Sequence, residues 1–288
     1  MAEFTDRGAP RPPIRLPGNA RICVTIDLAF EGFLNACQYR HRTTPLEKPD
    51  RFSLSFAEYG LRVGIWRLLE TMDEWRIKAT SITSGLAAQR YPRTLKALHS
   101  AGHEVMAHAW TNDGSSIASD DEELEAAEVR RSIEAITAAT GEAPAGWMSP
   151  GGMGSPARLK ALVEAGILYS CDDASDDLPF VIRVGDRPHV VFPRSIGTND
   201  LSNWLSPSNP PSAFLDSIKS QFDQYYGEGL RGRPGCFDVT LHAHMAGRAI
   251  LIPAVHAALK YMLGHKGVWL ARKQDLAKWI LDHPEYHG

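Results

Sequence analysis

Apolar and polar positions alternate in blocks from residue 21 onward. "RICVTIDLAF" is a short, largely apolar, β-prone run that predicts a buried strand, followed by a polar loop through about residue 56. From 57 to 76, Leu61, Ile65, Leu68, Leu69 and Met72 recur at helical spacing, and "IKATSIT" then predicts a second strand. "GLAAQRYPRTLKALHSAG" predicts one helix stopped by glycine. "HEVMAHA" predicts the third strand, 120–140 a helix with an acidic first turn, "AGWMS" a strand and 155–165 a helix. The strands "GILYSCD" and "HVVFP", a helix at 211–227, the strand "CFDVTLHAH", a helix from about 249 to 264, the strand "GVWLA" and a helix over 272–281 complete the order. Repeated strand-then-helix units predict an α/β fold on a parallel sheet, either closed as a barrel or doubly wound.

A chain of 288 residues suits one large domain, so we expect a single catalytic domain over 1–288, with 1–20 an extended segment ahead of the first strand. The net charge is −3, and its 31 basic and 34 acidic residues are scattered, with no basic stripe for phosphates and no polybasic membrane anchor. A small-molecule substrate is expected, with neither nucleic acid nor membrane as partner. Cys23, Cys37, Cys171 and Cys236 stand far apart without Cys-x-x-Cys spacing, which predicts reduced thiols. The N-terminus lacks the apolar stretch of a signal peptide and no run of about 18 apolar residues occurs, so a cytoplasmic protein is expected. Nucleotide-binding and repeat architectures drop out for want of a GxGxxG, a Walker loop or a self-similar period.

In a parallel α/β sheet the carboxyl ends of the strands open onto one face, where binding and catalytic groups gather. Here the first strand carries Asp27 and then Glu31, and the third carries His108, Trp110 and Asn112. The fourth runs into "SPGG" with Pro150, the fifth into "CDDASDDLP" with Asp177, and a later one into "LHAHMAGR" with His242, His244 and Arg248. Asp27 within an apolar run is costly to bury unpaired, so it calls for a nearby cation or several donors. His108 alone suits a core histidine and gains weight from Asp27 and His242 at other strand ends. His242 and His244 alternate along a strand and so point the same way; His242 is the preferred catalytic member. No Gly-x-Ser-x-Gly elbow is present and no cysteine has a histidine beside it in sequence, which leaves acyl-enzyme chemistry unsupported. Carboxylates with histidines suit water attack on a carbonyl, one group taking the proton and another protonating the leaving nitrogen.

"VTIDLAFEG", "AGHEVMAHAWTND", "GWMSPGGMGSPARLKALVEAGILYSCDDASDDLP", "TNDL", "LHAHMAGRA" and "VWLARKQDLAKWI" resemble, in order and spacing, the motifs of the polysaccharide deacetylase superfamily. "EYGLRVGIWRLLETM", "DDLP" and "VWLARKQDLAKW" resemble its allantoinase-like and peptidoglycan-deacetylase-like branch. The resemblance implies a distorted (β/α) barrel of seven or eight parallel strands and hydrolysis of a non-peptide amide C–N bond. It puts Asp27 on the metal aspartate and His108 on the first metal histidine, while Thr25 stands where the usual base would be and Asn112 where the second histidine would be. Asp27, His108 and Asn112 therefore form the candidate metal set; the expected cofactor is none, or a weakly held divalent ion such as zinc, because an amide oxygen substitutes poorly for imidazole.

Glu31 resembles a glutamate of allantoinase-like relatives, and either Glu31 or Asp27 is the expected base. His242, with Arg248 after it, resembles the late motif whose histidine serves the leaving group or the oxyanion, a donor worth about 3 kcal/mol in barrier height. The expected catalytic set is Asp27, Glu31, His108 and His242, with Trp110, Asn112, Pro150, Asp177 and Arg248 as substrate contacts. Ring opening of a small cyclic amide or imide is the leading expectation. The alternatives are a metal-dependent N-deacetylase of carbohydrate or peptidoglycan and an inactive binding protein on the same fold. The branch resemblance also implies a homo-oligomer.

Overall fold

Strand β1 (Ile22–Phe30) is buried at all nine positions and forms the centre of the sheet. In the computed structural model, which describes residues 13–37, 49–113, 118–204 and 209–287, it pairs in parallel with β2 (Thr80–Thr83), β8 (Gly235–His242) and β9 (Val268–Leu270). The remaining strands are β3 (Glu104–Ala107), β4 (Gly146–Trp147), β5 (Tyr169–Asp173), β6 (Phe180–Val184) and β7 (Arg187–Pro193). Their order is β6-β7-β5-β4-β3-β2-β1-β8, with β9 also against β1, and every pairing is parallel except β6 with β7. The eight parallel strands curl into a half-barrel, as expected. Strand β6 is an addition to the expected set, turned back onto β7 through Gly185 at φ 59°. Between β7 and β8, among the described residues, the single bridge Asn199–Thr240 reaches across.

Alternation along β1 sorts its side chains into two cores. Ile22, Val24, Ile26, Leu28 and Phe30 pack outward on the helix layer with Leu61, Ile65, Leu68 and Leu95. Cys23 and Ala29 face the interior with Ile82, Met106, Met148, Tyr169 and Phe192. Ile14, Leu16 and Ala20, ahead of β1, join that inner core, as do Leu276, Ala277 and Ile280 of α10 (Lys273–Leu281), which packs on β6 and β7. The expected segment 1–20 is described only from residue 13.

The helix expected over 57–76 starts earlier, at Arg51, because Asp50 accepts from Phe52 N and Ser53 N at 3.0 Å and caps it. It runs as α1 (Arg51–Tyr59), a π turn over Gly60–Gly64, and α2 (Ile65–Glu74). A Cβ at Gly60 would lie 2.6 Å from His244 N, and one at Gly64 would overlap the Ala243 carbonyl, so two glycines let this helix touch the end of β8. The single helix expected over "GLAAQRYPRTLKALHSAG" is two, α3 (Gly85–Arg90) and α4 (Pro92–Ser100), broken where Pro92 removes a donor and restrains Tyr91. The other helices are α5 (Glu122–Thr140), α6 (Pro156–Glu164), α7 (Asp200–Trp204), α8 (Pro211–Leu230) and α9 (Ile252–Leu263).

Candidate functional site

Glu31, one residue past β1, is 3 % exposed and is the hub of a polar cluster at the carboxyl ends of the strands. Its Oε1 lies 3.3 Å from His108 Nε2, accepts from Asn112 Nδ2 at 3.2 Å and is 3.8 Å from His242 Nε2. Its Oε2 is 3.8 Å from His244 Nδ1. Local backbone brings these groups together. His108 leaves β3, Ala109 adopts φ 52°, and the chain doubles back so that Asn112 N donates to Gly32 O at 3.0 Å. A non-glycine residue in the left-handed region is uncommon, and here it lets side chains four apart reach one carboxylate. Gly32 N donates in turn to Ser84 Oγ at 2.8 Å, which pins the turn that carries Glu31.

Each imidazole is held by its far nitrogen. His108 Nδ1 donates to Met148 O at 2.6 Å, and His242 Nδ1 donates to Asp200 Oδ1 at 2.7 Å, so both rings turn Nε2 toward Glu31. Asp200 Oδ2 also accepts from His242 N at 2.9 Å and Ala246 N at 3.0 Å, which fixes the carboxylate against β8. Burial opposes ionisation of Glu31, yet His242, His108 and His244 together pull its pKa down to about 2. Burial likewise opposes a charged His242, but Glu31 and Asp200 outweigh it and raise its pKa. His244 goes the other way: burial, with His242 and Arg248 adding repulsion, lowers it to about 3, so at neutral pH it is an uncharged ring beside Phe33 and Phe56. The result is a carboxylate, a proton held at His242 and a neutral imidazole around one point. A cavity of about 100 Å³ has Glu31, Phe33 and Arg90 among its walls.

Asp27 does not belong to this cluster. It faces the same interior, but Ala29 lies between it and Glu31 along β1, and Ala29 packs with Ile82, Met106 and Met148 in an apolar layer. Below that layer Asp27 Oδ2 is 3.1 Å from Lys273 Nζ, which also donates to Thr25 Oγ1 at 3.2 Å. The contact with Asp27 is one of charge, since its oxygens make no aligned hydrogen bond among the described residues. Burial outweighs the lysine and raises the Asp27 pKa to about 7. The cation that the sequence required for Asp27 is therefore an ammonium from α10. The expected metal set of Asp27, His108 and Asn112 is not assembled, and no group of three or more His, Cys, Asp or Glu among the described residues is disposed to hold a metal ion. Asn112, instead of acting as a ligand, donates to Glu31.

Three expected substrate contacts lie outside the cluster around Glu31. Trp110 is buried outside the strand-end cluster, with its N donating to Glu128 Oε1 at 2.7 Å and Arg131 stacked 3.4 Å from its ring. Arg248 donates to His244 O at 2.7 Å and to Phe56 O at 3.1 Å and lies over the rings of Phe56 and Tyr59, so it braces α1 against the loop that carries His244. Asp177 accepts from Tyr225 OH at 2.6 Å and lines a cleft near β7 together with Arg194. Pro150 is buried in the turn after β4, two residues past the carbonyl that orients His108. Asp200 was not singled out from the sequence as a site residue; its signal was the aspartate of "TNDL", one of the motifs that carried the resemblance. No helix among the described residues is long and apolar enough to cross a membrane.

Residues 48–170 match the family model for polysaccharide deacetylase. A putative polysaccharide deacetylase of Schizosaccharomyces pombe is 26 % identical over 93 % of this chain and 88 % of its own length. Among solved structures, a probable polysaccharide deacetylase from Pseudomonas aeruginosa PAO1 superposes with a TM-score of 0.86 at 28 % identity, over 96 % of this chain and 97 % of the other. Puue allantoinase gives the same TM-score of 0.86 and 28 % identity, over 96 % of both chains. The polysaccharide deacetylase resemblance thus holds, by sequence over 48–170 and by fold over nearly the whole chain.

Proposed function

We propose that this chain hydrolyses a non-peptide amide C–N bond, in a small cyclic amide or imide. Glu31, ionised at neutral pH, takes the proton of an attacking water. His108, its ring fixed by Met148 O, turns Nε2 toward the same point as the Glu31 carboxylate and orients the water there. Water oxygen bonds to the carbonyl carbon, the C–N bond breaks, and His242, kept protonated by Glu31 and Asp200, gives its proton to the departing nitrogen. The ring opens to a carboxylate and an N–H group. Each such proton transfer contributes about 10²–10⁴-fold. No step is assigned to a metal, because Asp27 is engaged with Lys273 rather than with His108 and Asn112.

The observation that carries the reading is Glu31 within 3.8 Å of three imidazole nitrogens in a buried site. The choice of a small ring is supported by the likeness to an allantoinase structure. The names of the Schizosaccharomyces and Pseudomonas relatives favour a second reading, N-deacetylation of a carbohydrate. Purified chain offered allantoin, hydantoin and succinimide beside N-acetylated chitooligosaccharides separates the two. Ring opening supports the proposal, and acetate release with intact rings replaces it. Tight binding of one of these compounds without turnover assigns the fold to recognition instead.

A further inference from the structure

Arg194 follows the last residue of β7, and its N donates to Asp173 O at 2.9 Å, which fixes it over the end of β5. One guanidinium nitrogen lies 3.2 Å from where a Cβ at Gly152 would stand, and Gly152 has φ 73° in the turn after β4. The Arg194 charge also opposes protonation of His242 at the end of β8. These neighbours put the guanidinium on the strand-end face that carries Glu31, on the side between β4 and β8. Arg194 is half-buried, and its side chain makes no hydrogen bond, ion pair or ring contact among the described residues. It lines a cleft of about 190 Å³ with Ser195, Gln221, Asp176 and Asp177. Neither aspartate pairs with it: Asp177 Oδ1 takes Tyr225 OH at 2.6 Å and Asp176 Oδ1 takes Leu178 N at 3.0 Å.

Other arginines near the barrel have partners. Arg158 holds Glu125, Arg248 holds two carbonyls and Arg272 holds Asp275. A guanidinium keeps its charge at any working pH and is costly to withdraw from water without an acceptor. Beside a histidine that must carry a proton it is also a like charge. Both costs fall when an anion docks on it, and a planar fork of N–H donors matches a carboxylate with two parallel hydrogen bonds. Glycine at 152 keeps that approach clear, because a side chain there would press on the guanidinium.

We propose that Arg194 recognises a carboxylate carried by the substrate, so that the amide opened at Glu31 belongs to a carboxylate-bearing small molecule. The substrate part of this assignment rests on the amide-hydrolysis reading; the recognition part does not. The test uses the full chain, with hydantoin-5-acetic acid and its neutral isostere hydantoin-5-acetamide, each titrated calorimetrically and each assayed for turnover. The acid binds about 10- to 100-fold more tightly than the amide, as charge-assisted hydrogen bonds imply. Arg194→Gln removes most of that difference by weakening the acid far more than the amide, while Arg194→Lys keeps part of it. Equal affinities, no binding of either compound, or an equal loss of both in Arg194→Gln would overturn the assignment, the last pointing to an oxyanion donor that ignores the substituent. A preference for the acid that depends on Arg194, with neither ring opened, leaves the recognition in place and removes the hydrolysis reading.

Discussion

Replacing Asp200 with asparagine changes one charge and almost no volume at a fully buried position. Asp200 Oδ1 accepts from His242 Nδ1 at 2.7 Å, and Oδ2 accepts two backbone N–H groups at 2.9 and 3.0 Å. An amide has one oxygen for these three donors, so Asp200→Asn either releases the ring or turns an N–H₂ toward it. A hydrogen bond to a charged partner contributes about 1.5–3 kcal/mol, which is roughly a 10- to 100-fold change in the ratio of imidazolium to imidazole. Glu31, His244 and Arg194 also act on His242, and with Asp200 neutral Glu31 is the anion among these that favours its charge. A raised pKa stabilises the fold at pH below the unfolded histidine value, and that stability is lost as pH rises through the folded value; the substitution therefore removes it and moves the loss to lower pH. Proton NMR of the His242 ring across pH, read beside the alkaline limb of the rate profile, should show both midpoints moving toward acid together. A His242 midpoint that stays put in Asp200→Asn would refute the coupling.

Lys273→Met should destabilise the chain by about 3–5 kcal/mol by leaving Asp27 buried without its cation, and adding Asp27→Asn should recover most of that, as read from denaturant midpoints. Gly64→Ala would drive a Cβ into the Ala243 carbonyl; we expect a loss of about 1–3 kcal/mol in thermal unfolding, with no such loss for Gly227→Ala inside α8, where a Cβ meets only the far end of Arg231 at 3.6 Å.

Strand-then-helix periodicity was enough to find the parallel sheet because buried parallel strands are continuous apolar runs, as β1 is. It could not find β6, a short hairpin arm only partly buried behind the aspartate-rich turn. Period two tells which face a side chain takes but not its depth. Asp27, Ala29 and Glu31 share a face, and only the layer of Ala29, Ile82, Met106 and Met148 separates the first from the last. The need of Asp27 for a cation was legible, whereas its source on the final helix was not, because β9 and α10 return to β1 only through tertiary pairing. Asp200 lies on a five-residue helix with no periodic signal, reached through the Asn199–Thr240 bridge. Trp110 and Arg248 sit near His108 and His244 in sequence, yet the turns at Ala109 and after β8 direct their side chains onto Arg131 and onto Phe56 and Tyr59.

The most direct test of the account sets two carboxylates of β1 and its turn against each other. In steady-state assays on whichever cyclic amide the chain opens fastest, Glu31→Gln should lower kcat/KM by at least about 100-fold. The double variant Asp27→Asn with Lys273→Met, with its ion pair removed whole, should stay within about tenfold of the parent chain. The reverse order, with Glu31→Gln active and the Asp27 variant inactive though folded, would contradict Glu31 as the group that activates water.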